Sequence, residues 1–126
     1  MISLADILLL HEFSILDYGG MDGIRDEGLL LSAIERPFHT FDGKDLYPTP
    51  YQKAVSLAES IIINHPFVDG NKRVGFLAMI ALLNEHNIDF IADQDDAYAC
   101  VLSIATGKYN FDHVANWLKA NTRDIL

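Results

Sequence analysis

From Val74 to Leu83 the chain reads Val-Gly-Phe-Leu-Ala-Met-Ile-Ala-Leu-Leu, without one polar side chain. A helix apolar on every face needs neighbours on every face, so this stretch predicts the buried centre of an all-α bundle. At ten residues it falls well short of the roughly 20 that a membrane span requires. Gly75 inside it costs about 1 kcal/mol against Ala. Close packing against a neighbouring helix or a ligand accounts for such a cost.

The rest of the sequence supplies that helix with neighbours. Ser3 caps a first helix with Asp6 in its first turn, and Leu4, Ile7, Leu8, Leu10, Ile15 and Leu16 predict that it is mostly buried, ending at Gly19-Gly20. His11-Glu12 begins like a zinc-binding HExxH, but position 15 is Ile and the motif fails. Asp26 caps a second helix stopped by Pro37. Thr49-Pro50-Tyr51-Gln52 has a cap, a proline at the first helical position and a capping box, and opens a third. The central helix spans 71–86, and two more follow, over 94–105 behind Asp93 and over 111–121 behind Asn110. Tyr109 and Val114 are spaced for a hydrophobic staple. Between helices two and three, Asp42-Gly43 is a two-residue hairpin turn flanked by Phe38, Phe41 and Tyr47. Residues 37–48 are a plain interhelical loop or a small β-hairpin flap whose edge, at Phe41, Asp42, Gly43 and Lys44, pairs with a target peptide. The expectation is a compact six-helix bundle in one domain, residues 1–126.

Half the 126 residues are hydrophobic and the formal net charge is −9, with nine Lys and Arg. So acidic a chain is a poor direct ligand for nucleic acid, whose affinity comes largely from basic residues on phosphates. The single cysteine, Cys100, lies in an apolar run and predicts a buried structural thiol. With no basic-then-apolar leader and no membrane-length segment, the expected location is the cytoplasm.

Immediately before the central helix stands His65-Pro66-Phe67-Val68-Asp69-Gly70-Asn71-Lys72-Arg73. So many polar groups between apolar helices are costly to desolvate unless partners or a ligand meet them. The amides of Gly70, Asn71, Lys72 and Arg73 open the helix, where free N–H groups and the positive dipole end favour an anion. Gly70 lets a phosphate approach the backbone, Arg73 can grip it bidentately and Lys72 adds a point charge. Asp69 is a hard oxygen ligand suited to magnesium (Mg²⁺) that also binds phosphates. His65 can take a proton from an incoming hydroxyl. Base, metal ligand, anion cradle and cation are the parts of a phosphoryl- or nucleotidyl-transfer site.

The nine residues resemble the Fic/Doc signature HxFx(D/E)GN(G/K)R. Tyr18-Gly19-Gly20, Ile24-Arg25-Asp26 and Ala105-Thr106-Gly107 extend the likeness over nearly the whole chain, in the manner of the small death-on-curing branch of toxins. The resemblance implies an ATP-dependent enzyme that modifies proteins, with His65 as base, Asp69 as Mg²⁺ ligand, Gly70 and Asn71 in the anion hole and Arg73 on phosphate. Fic enzymes typically transfer AMP from ATP to a protein hydroxyl; the Doc toxin phosphorylates elongation factor Tu. Two departures from the AMP-transferring pattern favour the kinase. Lys72 replaces a usual glycine and crowds the α- and β-phosphates, and Phe76 stands where that longer motif has a second arginine. The adenylyltransferase is the alternative. No (S/T)xxxE(G/N) inhibitory helix is found, so restraint is expected from a separate antitoxin.

The remaining polar residues read more plainly. His39, His86 and His113 are expected at the surface, and Asp93, Asp95 and Asp96 form a cap with first-turn acids. A rival reading makes the loop a non-catalytic module that binds a nucleotide or a partner, although binding needs neither a base nor a metal ligand.

Overall fold

Side-chain caps decide where five of the six α-helices among the described residues begin. In the computed structural model, which describes residues 1–125, α1 (Leu4–Tyr18) starts behind a reciprocal Ser3–Asp6 capping box and stops at Gly19, φ +82°. Asp26 caps α2 (Glu27–Glu35), a 3₁₀ turn spans Arg36–Phe38, and the Thr49–Gln52 box opens α3 (Pro50–Asn64). Helix α4 (Asn71–Glu85) follows the motif loop, then α5 (Gln94–Thr106) behind Asp93 and α6 (Phe111–Ala120) behind Asn110. The fold is all-α, and the described residues form a six-helix bundle with two small antiparallel strand pairs.

The first pair is the hairpin. Thr40–Phe41 (β1) pairs with Lys44–Asp45 (β2). Asp42 and Gly43 both take positive φ (54° and 76°), as a type I′ turn requires. The second pair, Ile88–Phe90 (β3) with Thr122–Asp124 (β4), ties the end of α4 to the residues after α6. Sequence reasoning gave no sign of it.

Helix α4 is central, but α3 is the more enclosed, packing on α2, α4, α5 and α6. Its residues Lys53–Ala58 and Ser60–Ile62 are all buried. A Cβ on Gly75 would sit 2.7 Å from Ile62 Cγ1 and 3.4 Å from the Ala58 carbonyl, so the glycine is what lets α3 and α4 approach. Cys100 is buried, as expected, and the predicted surface histidines are exposed.

One expectation is corrected. Helix α1 is not mostly buried: Ile7 is inside, but Leu16 is 78% exposed, with Leu9 and Phe13 also outward. Its inward positions include His11 and Ser14, because this face meets the polar motif loop rather than the apolar core. At the start of α6 the Tyr109 ring stacks on His113 at 4.1 Å.

Candidate active site

The motif loop joins the end of α3 to the start of α4. His65 terminates α3 in the left-handed region (φ 52°, ψ 61°), a conformation that costs a non-glycine residue of order 1 kcal/mol and needs outside support. Arg25 supplies it. Its Nε donates to the His65 carbonyl and its Nη2 to the Asn64 carbonyl, both at 2.6 Å, meeting two carbonyls that the helix end leaves free. The adjoining chain pairs with the loop like a strand. Arg25 and Asp26 donate their N–H groups to the Pro66 carbonyl (2.8 and 3.0 Å), Val68 donates to Gly23 (3.0 Å), and Ile24 bridges Phe67.

Phe67 anchors the loop in the core at 1% exposure. Its N–H donates to Asn71 Oδ1 and its carbonyl accepts from Asn71 Nδ2, each at 3.0 Å. The buried Asn71 side chain is thus spent on loop geometry, and what it can offer a ligand is its backbone N–H. Gly70 precedes α4 in the left-handed region (φ 77°), and no side chain caps the helix. Among the described residues, the N–H groups of Asn71, Lys72 and Arg73 have no acceptor, leaving the kind of helix start that favours an anion.

Around that end the motif side chains are arranged unequally. His65, Asp69 and Lys72 are exposed, while Arg73 is half-buried. Asp69 accepts from its neighbour Gly70 N–H at Oδ1 (2.8 Å) and from Met21 N–H at Oδ2 (3.3 Å). A Cβ on Gly20 would stand 2.8 Å from Asp69 Oδ2, so the glycine pair after α1 passes close over this carboxylate. The Arg73 guanidinium lies 4.3 Å from the Tyr18 ring centre and donates to Ser14 Oγ at 3.3 Å.

No cluster of three His, Cys, Asp or Glu residues able to hold a metal occurs among the described residues. One exposed carboxylate fits Mg²⁺ all the same, because this ion keeps several waters and is commonly held by one or two carboxylates together with substrate phosphates. The donor set suits an ion arriving with a nucleotide, not a resident metal.

The hairpin stands apart. Lys53 Nζ holds its root, bonding the Pro37 carbonyl at 3.1 Å and Asp45 Oδ2 at 3.4 Å. Lys53 and His65 are separated along α3 by about 18 Å of helix rise. Among the described residues no hydrogen bond or ion pair joins Phe41, Asp42, Gly43 or Lys44 to residues 65–73.

Three residues close to the motif carry no motif signal of their own: His11, Arg25 and Tyr18. His11 was legible only as half of a failed zinc motif, and Arg25 and Tyr18 only as flanks of the family likeness. Their partners in the motif loop and at the end of α3 lie 39 or more residues away in the chain.

A left-handed histidine cap, a helix start with free N–H groups, an exposed carboxylate and an arginine are brought together within one α-helical bundle. Residues 1–83 match the family model described as Fic/DOC family, and this chain belongs to that family. Over 100 residues it is 37% identical to Toxin Doc of Mycolicibacterium smegmatis, covering 78% of this chain and 77% of that protein. Enzymes of the family use ATP to modify proteins. No helix among the described residues is long and apolar enough to cross a membrane.

Proposed function

We propose that this chain is the toxin of a toxin–antitoxin module, acting in the cytoplasm as a Doc-like kinase that moves the γ-phosphate of ATP to a hydroxyl of a target protein. Elongation factor Tu is the first target to try, with inhibition of translation as the consequence, and a separate antitoxin polypeptide provides the restraint. The relative named Toxin Doc supports the branch.

The observation that carries phosphate over AMP is the face of α4 that follows the motif. Lys72 projects into solvent in the first turn, where AMP-transferring relatives usually have glycine. One turn on, Phe76 packs edge-on against Phe90 at 5.6 Å. That face therefore offers a half-buried aromatic contact in place of a second guanidinium.

In this mechanism the first-turn amides of α4 and the Arg73 guanidinium hold the phosphates, and Lys72 adds positive charge at the mouth of the site. His65 accepts the target hydroxyl's proton as that oxygen bonds to the γ-phosphorus and the bond to the ADP oxygen breaks. Asp69 would hold Mg²⁺, which when bound offsets charge on the nucleotide phosphates. The hairpin edge at Phe41–Lys44 is the proposed docking strand for the target backbone.

The test is incubation of the protein with Mg²⁺, ATP and purified elongation factor Tu or a cytosolic extract, followed by intact mass, with His65→Ala alongside. A His65-dependent gain of one phosphate is expected. A gain of one AMP would overturn the kinase reading, and no gain in either preparation would favour a non-catalytic binding module.

A further inference from the structure

His11 is a buried polar side chain to which the transfer chemistry assigns nothing. It is 2% exposed, yet it lies against Phe67, Asp69 and Gly70 of the motif loop. Its ring lies flat on Phe67, with centroids 3.9 Å apart and planes 6° from parallel. Its Nε2 is 2.8 Å from the Asp69 carbonyl oxygen. A Cβ on Gly70 would come within 3.7 Å of the same nitrogen. A carbonyl only accepts, so Nε2 carries the proton, and Nδ1 faces the Asp22 carboxylate at 3.7 Å.

The peptide that His11 grips is the one between Asp69 and Gly70. On one side it carries the proposed Mg²⁺ carboxylate, and on the other it leads into the amides that receive phosphate. Rotation of that peptide would move both together. Asn71 fixes Phe67, and Gly23 fixes Val68, but among the described residues the Asp69 carbonyl is held by His11 alone. We infer that His11 is a positioning residue: its Nε2–H locks the Asp69–Gly70 peptide, and so sets the ion-binding carboxylate against the phosphate-binding helix start. The activity half of this inference rests on the phosphotransfer reading; the structural half does not.

Two substitutions separate the N–H from the ring. His11→Phe keeps an aromatic face for Phe67 and loses the donor. His11→Gln loses the ring but places an amide N–H at the reach of Nε2. If His11 only fills space, Phe should behave like the wild type and Gln should fail. If it positions the peptide, the order reverses.

The experiment measures ATP-dependent transfer, thermal unfolding and the backbone amide resonances of Gly70 and Asn71 for wild type, His11→Phe, His11→Gln and His65→Ala. For His11→Phe the expected result is a loss of about 10- to 100-fold in kcat, the usual range for removing an outer partner that orients a site ligand. KM for ATP should change less, and the Gly70 and Asn71 resonances should shift or broaden. His11→Gln should restore most of the rate and both resonances, even where its melting temperature is the lower of the two. His11→Phe with wild-type rate and resonances would overturn the inference, and so would a Gln variant that perturbs the two resonances as Phe does. A wild type that transfers nothing would sink the kinase reading alone; the resonances of the two His11 variants would still decide the role of His11.

Discussion

At the scale of single residues, Gly75 is where a cost visible in the sequence meets its cause. Ala would gain about 1 kcal/mol of helix propensity. The new methyl would meet Ile62 Cγ1 at 2.7 Å, an atom near the root of a side chain that is 1% exposed and cannot swing clear. Overpacking of this kind costs about 1–3 kcal/mol, so Gly75→Ala is expected to destabilise by about 1 kcal/mol net in urea unfolding. A stabilised variant would mean that α3 and α4 are farther apart than described. The sequence shows that a glycine inside an apolar helix needs an explanation; it cannot name Ile62, because that depends on the distance between two helices. The motif residues were legible for a different reason. His65, Asp69, Gly70, Lys72 and Arg73 lie within nine consecutive positions, so their chemistry can be read before any fold is known. Arg25 could be read only as part of a family likeness, because its work at the Asn64 and His65 carbonyls exists only once α2 stands beside the end of α3.

At the scale of elements, local signals were read well and non-local ones poorly. Helix starts are set within four residues, and the structure bears out the caps at Ser3, Asp26, Thr49, Asp93 and Asn110. Removing such a cap is a modest insult: Thr49→Ala is expected to cost about 1 kcal/mol in the same unfolding assay. Asn71→Ala should cost more, at least about 2 kcal/mol, because it strands a buried N–H and a buried carbonyl of Phe67 together. If the two variants unfold alike, the Asn71 amide does not close the loop as described. The β3–β4 pair was missed because each strand is three residues long and its partner lies over 30 residues away, so neither has a period to detect. Helix α1 departs from the expectation that its apolar residues point inward. Its inner face packs on a polar loop and on Arg73, so histidine and serine fill it while Leu9, Phe13 and Leu16 remain outside.

At the scale of the whole molecule, Cys100 links the packing of the bundle to its stability in alkali. The thiol lies on α5, where a cavity of about 210 Å³ lined by Ser103, Val114 and Trp117 separates α5 from α6. Burial pushes its pKa from the ordinary 9.0 up to about 11. The unfolded chain therefore releases this proton first as pH rises through 9, while the native protein holds it until about 11. With fewer protons bound by the unfolded state, unfolding becomes easier across that window, by up to about 1.4 kcal/mol for each pH unit. Added negative charge in alkali also strains a chain already at −9. That effect is common to wild type and Cys100→Ala, so it cancels in the difference between the two. Cys100→Ala has no proton to lose there, and its enlarged cavity lowers stability by the same amount at every pH. Urea unfolding of both proteins from pH 8 to pH 11 should then show the wild type losing ground steadily to the variant above pH 9. The same shift predicts that thiol labelling of the native protein at pH 8 is about 100-fold slower than labelling of an unperturbed cysteine, because only the thiolate reacts. A difference curve flat with pH, together with rapid labelling, would mean that water reaches Cys100 and that α5 and α6 part readily in solution.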